Sequence, residues 1–238
     1  MLLTGASLKL LLVDTATNSL SMALSDGERV IASRSADGGP STAARLNPFL
    51  QSLFAESLMA PAELDALAVT VGPGSFTGLR VGMSFVKGLA MALGRLVVPL
   101  SSLELLAMNA RGNAIPVCSM YDARKGEVYA AVYDCSGNVK NIIPEMVAHP
   151  ATLLENITAR TLFIGDGAVR YRDLIEQQLG DLALFADPEM NEPKASGGVI
   201  LALSGLNSGQ ALQPAALLPR YLRLPEAEIA RAAVKAAV

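Results

Sequence analysis

The chain has 238 residues, 51% of them hydrophobic and 17% charged, a composition that predicts a folded protein with a sizeable core and excludes a disordered one. Its formal net charge of −3, without a long basic run, excludes the extensive phosphate neutralisation that stand-alone nucleic-acid binding requires. The two cysteines, Cys118 and Cys135, are too few for a disulfide scaffold and predict buried thiols in a reducing compartment. Because the N-terminus lacks a signal peptide's basic region and no uninterrupted apolar run reaches about 18 residues, we expect a cytoplasmic protein without a membrane span.

Three short apolar segments at the start of the chain predict a β-meander. They cover residues 8–15, 20–25 and 28–33, and the first ends in the carboxylate of Asp14. A helix is predicted to follow from near Thr42 to Pro61. Its apolar stripe consists of Leu46, Phe49, Leu50 and Leu53.

A glycine-rich stretch, residues 72–82, lies between a predicted strand at 67–71 and a predicted helix that ends at Leu93. Its glycines permit positive φ angles and close backbone approach, and the N–H groups at the helix start could bind an anion. The spacing fits neither the dinucleotide-binding fingerprint nor the P-loop. A structural turn and a phosphate or partner site therefore both remain open.

The helix after the glycine turn is apolar on two sides. One side carries Val81, Phe85, Leu89 and Ala92, and the other carries Met83, Val86, Ala90 and Leu93. A helix with two apolar sides is normally covered on both of them. We expect the chain's own sheet to cover one side, and either the same chain or a partner subunit to cover the other.

The second half of the chain repeats this order of elements. After a strand at 96–100 and a helix from Ser101-Ser102 to about Arg111, a strand at 115–122 ends in Asp122, and a strand at 126–134 turns into a third. Further predicted elements are a strand at 160–164, helices at 168–179 and 196–206, an ordered tail at 214–223 and a terminus that frays.

A strand that ends in aspartate and opens a meander thus occurs twice, at Asp14 and Asp122. This repetition predicts an α/β protein with two related halves. We place the first lobe at residues 1–104 and the smaller second lobe at 105–238, with the tail from about residue 208 packing back on the first lobe.

Four segments of the sequence together resemble the bacterial TsaB (YeaZ) family of the actin-like ATPase, or sugar kinase and Hsp70, superfamily. They lie in order over nearly the whole chain and cover residues 12–17, 72–82, 122–129 and 219–223. The resemblance implies two actin-like, ribonuclease H-like lobes, each with a mixed sheet that opens with a three-strand meander and is flanked by helices.

The same resemblance implies a non-catalytic scaffold that activates threonylcarbamoyl transfer to adenosine 37 of tRNAs reading ANN codons. Members of the family pair with the metal-dependent transferase TsaD, and the ATPase TsaE joins them. The expected contact uses two helices per subunit, here residues 42–60 and Phe76–Leu93, and the same helices could form a homodimer in isolation. We expect tRNA to be reached only through this complex.

From this docking mode we predict partner contacts at Leu46, Phe49, Leu50, Leu53, Leu79, Met83, Val86, Lys87 and Ala90. Many relatives carry a histidine at the start of the first of these helices, where this chain has Ser41-Thr42. A role for a histidine at that position is therefore in doubt, but the docking itself is not.

The residues that could carry chemistry are few. The single histidine, His149, cannot supply the three or four ligands of a metal site, so we expect no metal. ATP or ADP, if bound, would lie at a subunit boundary, with candidate contacts at Asp14, Thr15, Ser75, Thr77, Arg80, Arg124 and Lys125. The simpler interpretation is that Asp14 caps a turn and that the cations are solvated. The alternative function is an actin-like-fold phosphotransferase that acts on a small metabolite.

Overall fold

Two five-stranded mixed sheets form the framework of the protein, and a computed structural model describes residues 7–37 and 42–223 of it. The first sheet contains the strands β1 (Lys9–Asp14), β2 (Leu20–Asp26), β3 (Arg29–Ala36), β4 (Ala66–Gly72) and β5 (Leu96–Ser101). Their order in the sheet is β3-β2-β1-β4-β5. The predicted opening meander is confirmed.

The middle strands β1 and β4 are almost completely buried because helices cover both faces of the sheet. β1 pairs antiparallel with β2 and parallel with β4. Helices α1 (Thr42–Ser57) and α2 (Phe76–Leu93) pack on one face. The other face is covered by α7 (Val199–Asn207), whose Ala202 is fully buried.

The second sheet contains the strands β6 (Val117–Arg124), β7 (Glu127–Asp134), β8 (Lys140–Ala148), β9 (Thr161–Ile164) and β10 (Ala183–Phe185). Their order in the sheet is β10-β9-β6-β7-β8. Helix α3 (Ser102–Ala107) packs on one face of it, and α4 (Pro150–Leu154), α5 (Asp166–Arg170) and α6 (Arg172–Leu179) belong to the same lobe. Two α/β halves that each begin with a meander are thus confirmed.

Two predicted helices differ from the structure, and one strand was not predicted. The single helix expected at 168–179 is wrong, because the chain leaves helical geometry at Tyr171 (φ −105°, ψ 21°) and forms α5 and α6 instead. The helix expected to reach Arg111 ends at Ala107 and continues as one 3₁₀ turn. Strand β10 was missed because three residues are too short to display an alternating pattern.

The chain returns to the first lobe near its end. Leu212 pairs with Val97 of β5, and Leu217 is fully buried in the first lobe's core. The predicted boundary after residue 104 falls inside α3 and stays a prediction. Ser41 and the terminus that we predict to fray lie outside the described residues.

Helix α2 is the longest helix of the described part and is framed by two caps. The Ser75 hydroxyl accepts the N–H of Gly78 at the start, and Gly94 in the left-handed conformation (φ 64°) ends the helix. By length and mean hydropathy (1.2) α2 could cross a membrane, a test that core helices of soluble proteins also pass. One side of α2 packs against the first sheet through fully or nearly fully buried side chains, as a core helix does: Leu79, Met83, Val86 and Ala90.

Candidate functional site

Six of the nine predicted partner contacts lie inside the protein's own core. These buried side chains are Leu46, Leu53, Leu79, Met83, Val86 and Ala90. Their assignment to a partner surface is wrong, because a side chain that is already covered by its own sheet cannot also cover a second subunit. The other three, Phe49, Leu50 and Lys87, are half-buried and remain candidate contacts.

The solvent-facing side of α2 is formed by different residues, which we call the outer face: Thr77, Arg80, Ser84, Gly88 and Met91. Met91 is 69% exposed, and a Cβ atom placed on Gly88 would meet no atom within 4 Å. Val81, Phe85 and Leu89 border this face and are half-buried. The second apolar side expected from the sequence is therefore present and partly uncovered.

The glycines before and within α2 make room for the chain itself. A Cβ on Gly74 would lie 2.3 Å from the Ala16 carbonyl oxygen, and a Cβ on Gly78 would lie 2.2 Å from that of Thr15. A Cβ on Gly82 would lie 2.1 Å from the Thr15 hydroxyl oxygen. The space that a glycine turn can offer to a phosphate is thus occupied by residues 15 and 16.

Thr15 does not face solvent. Its hydroxyl is buried and donates to the carbonyl of Gly78 at 2.8 Å, and the Ser75 N–H donates to the Ala16 carbonyl at 2.7 Å. Thr15 was predicted as a phosphate contact, and that prediction is wrong because its hydroxyl is already bonded to α2. The glycine turn therefore allows the start of α2 to pack closely against the residues that follow β1.

A cleft of about 320 Å³ opens between the two lobes, beside the contact between the end of β1 and the start of α2. The first lobe contributes the turn after β1 and the start of α2, and the second contributes the end of β6 and the start of α5. Side chains that line it include Thr17, Asn18, Ser75, Phe76, Tyr121, Asp122, Arg124, Tyr129 and Asp166. Two of the predicted phosphate contacts, Ser75 and Arg124, thus line the same cleft from opposite lobes.

The charges in the cleft largely satisfy one another. Asp122 lies 3.5 Å from Arg124 and 3.6 Å from Arg170, and its N–H donates to Asp166 at 3.0 Å. Burial raises the pKa of the Asp166 carboxyl. Lys125 follows in the same turn, where it and Arg124 both adopt positive φ angles.

The sequence analysis did not identify Asp166 as a site residue. Its place in the cleft could have been inferred, because Gly165-Asp166-Gly167 follows a strand that is parallel to β6. The ends of parallel strands meet at one edge of a sheet. Sequence reasoning did not establish that parallel pairing.

Arg80, another predicted phosphate contact, lies at the start of the outer face. Its guanidinium carbon is 3.8 Å from the centroid of the Phe76 ring, and its Nε donates to the Tyr221 hydroxyl at 2.9 Å. Thr77 is exposed nearby. Arg80 and Arg124 are therefore separate: one belongs to the helix surface and the other to the cleft.

Asp14 is completely buried at the end of β1. Its Oδ1 accepts the hydroxyl of Thr70 at 2.6 Å and the N–H of Ala16 at 3.2 Å, while Oδ2 has no hydrogen-bond partner among the described residues. Burial raises the pKa of Asp14 to about 6, against the lowering effect of these hydrogen bonds. Asp14 thus joins β1 to β4 and does not line the cleft.

This buried carboxyl predicts a pH-dependent stability. Because the pKa of Asp14 is raised on folding, its contribution to stability is present below about pH 4 and is lost as the pH rises through about 6. We expect the free energy of unfolding of the wild type to fall by roughly 2–3 kcal/mol more than that of Asp14→Asn between pH 4 and 7. Urea unfolding of both proteins across this range measures the difference, and parallel pH profiles would contradict the assignment.

No group of three histidine, cysteine or carboxylate side chains that could hold a metal ion occurs in residues 7–37 or 42–223. The Nδ1 atom of His149 accepts the N–H of Ala151 at the start of α4. Cys118 and Cys135 are buried and free, and burial raises the pKa of both thiols. His149 thus caps a helix, and the two cysteines are part of the core.

Comparison with known proteins identifies the family. The family model described as TsaD, tRNA N6-adenosine threonylcarbamoyltransferase, matches residues 40–231. The chain is 32% identical to the tRNA threonylcarbamoyladenosine biosynthesis protein TsaB of Bacillus subtilis over 223 residues, which is 92% of this chain and 96% of that protein. It is 30% identical to Escherichia coli TsaB, over 91% of this chain and 95% of that protein.

Solved structures agree with this likeness. YeaZ from Pseudomonas aeruginosa matches with a TM-score of 0.78 and 32% identity, over 90% of this chain and all of that chain. The Acidaminococcus fermentans (R)-2-hydroxyglutaryl-CoA dehydratase component A matches with a TM-score of 0.50 at 12% identity, over 84% of this chain and all of that one, which shows a shared fold alone. The predicted actin-like fold class is confirmed. The chain belongs to the TsaB (YeaZ) family, which is related in sequence to the transferase TsaD.

Proposed function

We propose that the chain acts in tRNA threonylcarbamoyladenosine biosynthesis as a non-catalytic subunit that binds and orients a TsaD-type transferase. In this role it contributes to threonylcarbamoyl transfer to adenosine 37 of tRNAs reading ANN codons, reaches tRNA only through the complex, and helps to recruit a TsaE-type ATPase. The names of its relatives in Bacillus subtilis and Escherichia coli support the pathway. We expect the complex to work in the cytoplasm.

The outer face of α2 is the observation that carries this proposal. It combines one exposed apolar side chain, Met91, with the small residues Thr77, Ser84 and Gly88. Small side chains allow the backbone of a second helix to approach closely and to pack ridges into grooves. α1 contacts α2, and its half-buried Phe49 and Leu50 remain candidate contacts on the neighbouring helix.

A TsaD-type subunit is the occupant that we propose for this face. The TsaD family model matches residues 40–231, a range that contains α1 and α2, so we expect a TsaD-type protein to carry an equivalent pair of helices. Related chains can associate about a pseudo-two-fold axis through equivalent surfaces, as identical chains do about a true one. A homodimer through the same helices is therefore the expected state without the partner.

The polar groups in and beside the cleft favour a role without catalysis. The hydroxyl of Thr15 is bonded inward and Asp122 is neutralised by two arginines, so neither is free to arrange a nucleotide for hydrolysis. We propose that ATP or ADP, if the complex uses it, binds at a subunit boundary, where Arg124, which lines the cleft, can reach its phosphates. The chain would then have no cofactor of its own.

Reconstitution tests the proposed function. The purified chain, a purified TsaD-type protein, a TsaE-type ATPase, tRNA and the threonylcarbamoyl donor are combined, and each protein is omitted in turn. We expect modified adenosine, measured by mass spectrometry of digested tRNA, only when this chain is present. We also expect a one-to-one complex with the TsaD-type protein in multi-angle light scattering.

The chain alone is the matched control. We expect no ATP turnover by it with or without a panel of small metabolites. Substrate-dependent turnover would support the phosphotransferase alternative, and full tRNA modification without the chain would exclude the scaffold.

A further inference from the structure

The last described residues of the chain, 219–223, lie against the end of β4. The N–H of Arg220 donates to the carbonyl of Val71 at 2.7 Å. A Cβ on Gly72 would lie 2.4 Å from the Arg220 carbonyl oxygen, so the glycine makes room for the tail backbone. The backbone of this segment thus packs closely against the end of β4 in the first lobe.

An aromatic contact fixes the tail to the beginning of α2. The ring of Tyr221 stacks on that of Phe76 with centroids 5.1 Å apart, and Arg80 donates to the Tyr221 hydroxyl while its guanidinium covers Phe76. Stacked rings and a cation over an aromatic face stabilise one another beyond the area they bury. The first turn of α2 is therefore tied to the tail by side chains as well as by backbone.

The same five residues also bind the second lobe. Arg220 forms an ion pair with Glu145 of β8, and Arg223 forms one with Glu127 of β7. The Arg223 guanidinium also donates to the carbonyl of Ala123 at 2.7 Å, at the end of β6. One surface ion pair contributes little by itself, but these contacts occur within four consecutive residues and must form and break together.

We infer that residues 219–223 form a clasp between the lobes, and that the cleft opens only when this clasp is released. Phe76 and Ala123 line the cleft from opposite lobes, and the clasp contacts both of them. Separation of these two walls would stretch the stacked rings and the arginine contacts at the same time. The clasp belongs to the isolated chain, so its test is independent of the proposed partner.

A distance measurement on the full chain tests the clasp. Spin labels on Ser84→Cys in the first lobe and Gln177→Cys in the second report the separation of the lobes, because both positions are exposed and the native cysteines are buried. We expect a narrow distance distribution for the intact clasp and a broader one with longer distances for the double variant Arg220→Ala/Arg223→Ala. Hydrogen exchange in cleft residues 16–18 and 121–124 should rise about tenfold, which corresponds to the loss of a few weak polar contacts.

Two further variants make the result specific. Arg172→Ala removes an exposed arginine that pairs with Glu176 away from the clasp, and it should leave both measurements unchanged. Tyr221→Ala removes the aromatic contact without removing a charge, and it decides the question if the double arginine variant does not fold. Unchanged distances and exchange in the folded clasp variants would overturn the inference.

Discussion

Replacing Gly88 with arginine is expected to abolish binding to a TsaD-type partner while leaving the chain at least as stable. Gly88 lies on the outer face, and nothing within 4 Å opposes a side chain there. An arginine in a helix interior is favoured over glycine by roughly 0.5–1 kcal/mol. An unpaired charge in the middle of a helix–helix contact, in contrast, costs about 3 kcal/mol or more, a loss of more than about 100-fold in affinity.

Two controls distinguish blocked docking from a damaged fold. Gly88→Ala also removes the glycine but adds only a methyl group, so it should retain most of the binding. Gln177→Arg adds the same charge to an exposed helix of the second lobe and should bind normally. Calorimetric titration measures the affinity for the partner, and thermal unfolding measures the stability of the free chain. Undiminished binding by Gly88→Arg would show that the partner docks elsewhere.

Replacing Val86 with glutamate, only two residues away, is expected to unfold the chain. The Val86 side chain is completely buried where α2 packs on the first sheet. The substitution loses about 1.5–3 kcal/mol of apolar burial and adds several kcal/mol for a carboxylate without a partner. This sum is comparable with the whole stability of a typical domain, about 5–15 kcal/mol.

Ser84→Glu is the matched control, because it puts the same carboxylate on the outer face of the same helix. It should unfold cooperatively at nearly the temperature of the wild type, whereas Val86→Glu should show no cooperative transition in near-UV circular dichroism. A folded, monomeric Val86→Glu protein would mean that Val86 faces outward.

Periodicity in the sequence was sufficient to locate most elements. The meanders, α1, α2 and the strands around the glycine turn follow from local patterns of apolar residues and turn residues. β10 did not follow, because it has only three residues and pairs with β9, which precedes α5 and α6 in the chain, and the break at Tyr171 did not follow, because no glycine or proline marks it. Local preference is decisive only where the pattern is long.

The orientation of α2 shows why the candidate site was harder to predict than the fold. Both sides of the helix are apolar, so the sequence could not tell which side faces the sheet, and the inner residues Met83 and Val86 were assigned to the partner. The tail contact of Tyr221 with Arg80 spans 141 positions and has no local signal. Both features require the three-dimensional pairing of strands to be known first.

The contact between Thr15 and α2 imposes a condition on how related sequences can vary. The threonine side chain fills the space that any side chain at position 82 would need, and its hydroxyl holds the helix backbone at position 78. A relative that acquires alanine at the position of Gly82 should therefore carry alanine or glycine, which have no hydroxyl oxygen, at the position of Thr15. Paired substitution at these two sites, 67 positions apart, would record this steric coupling across the family.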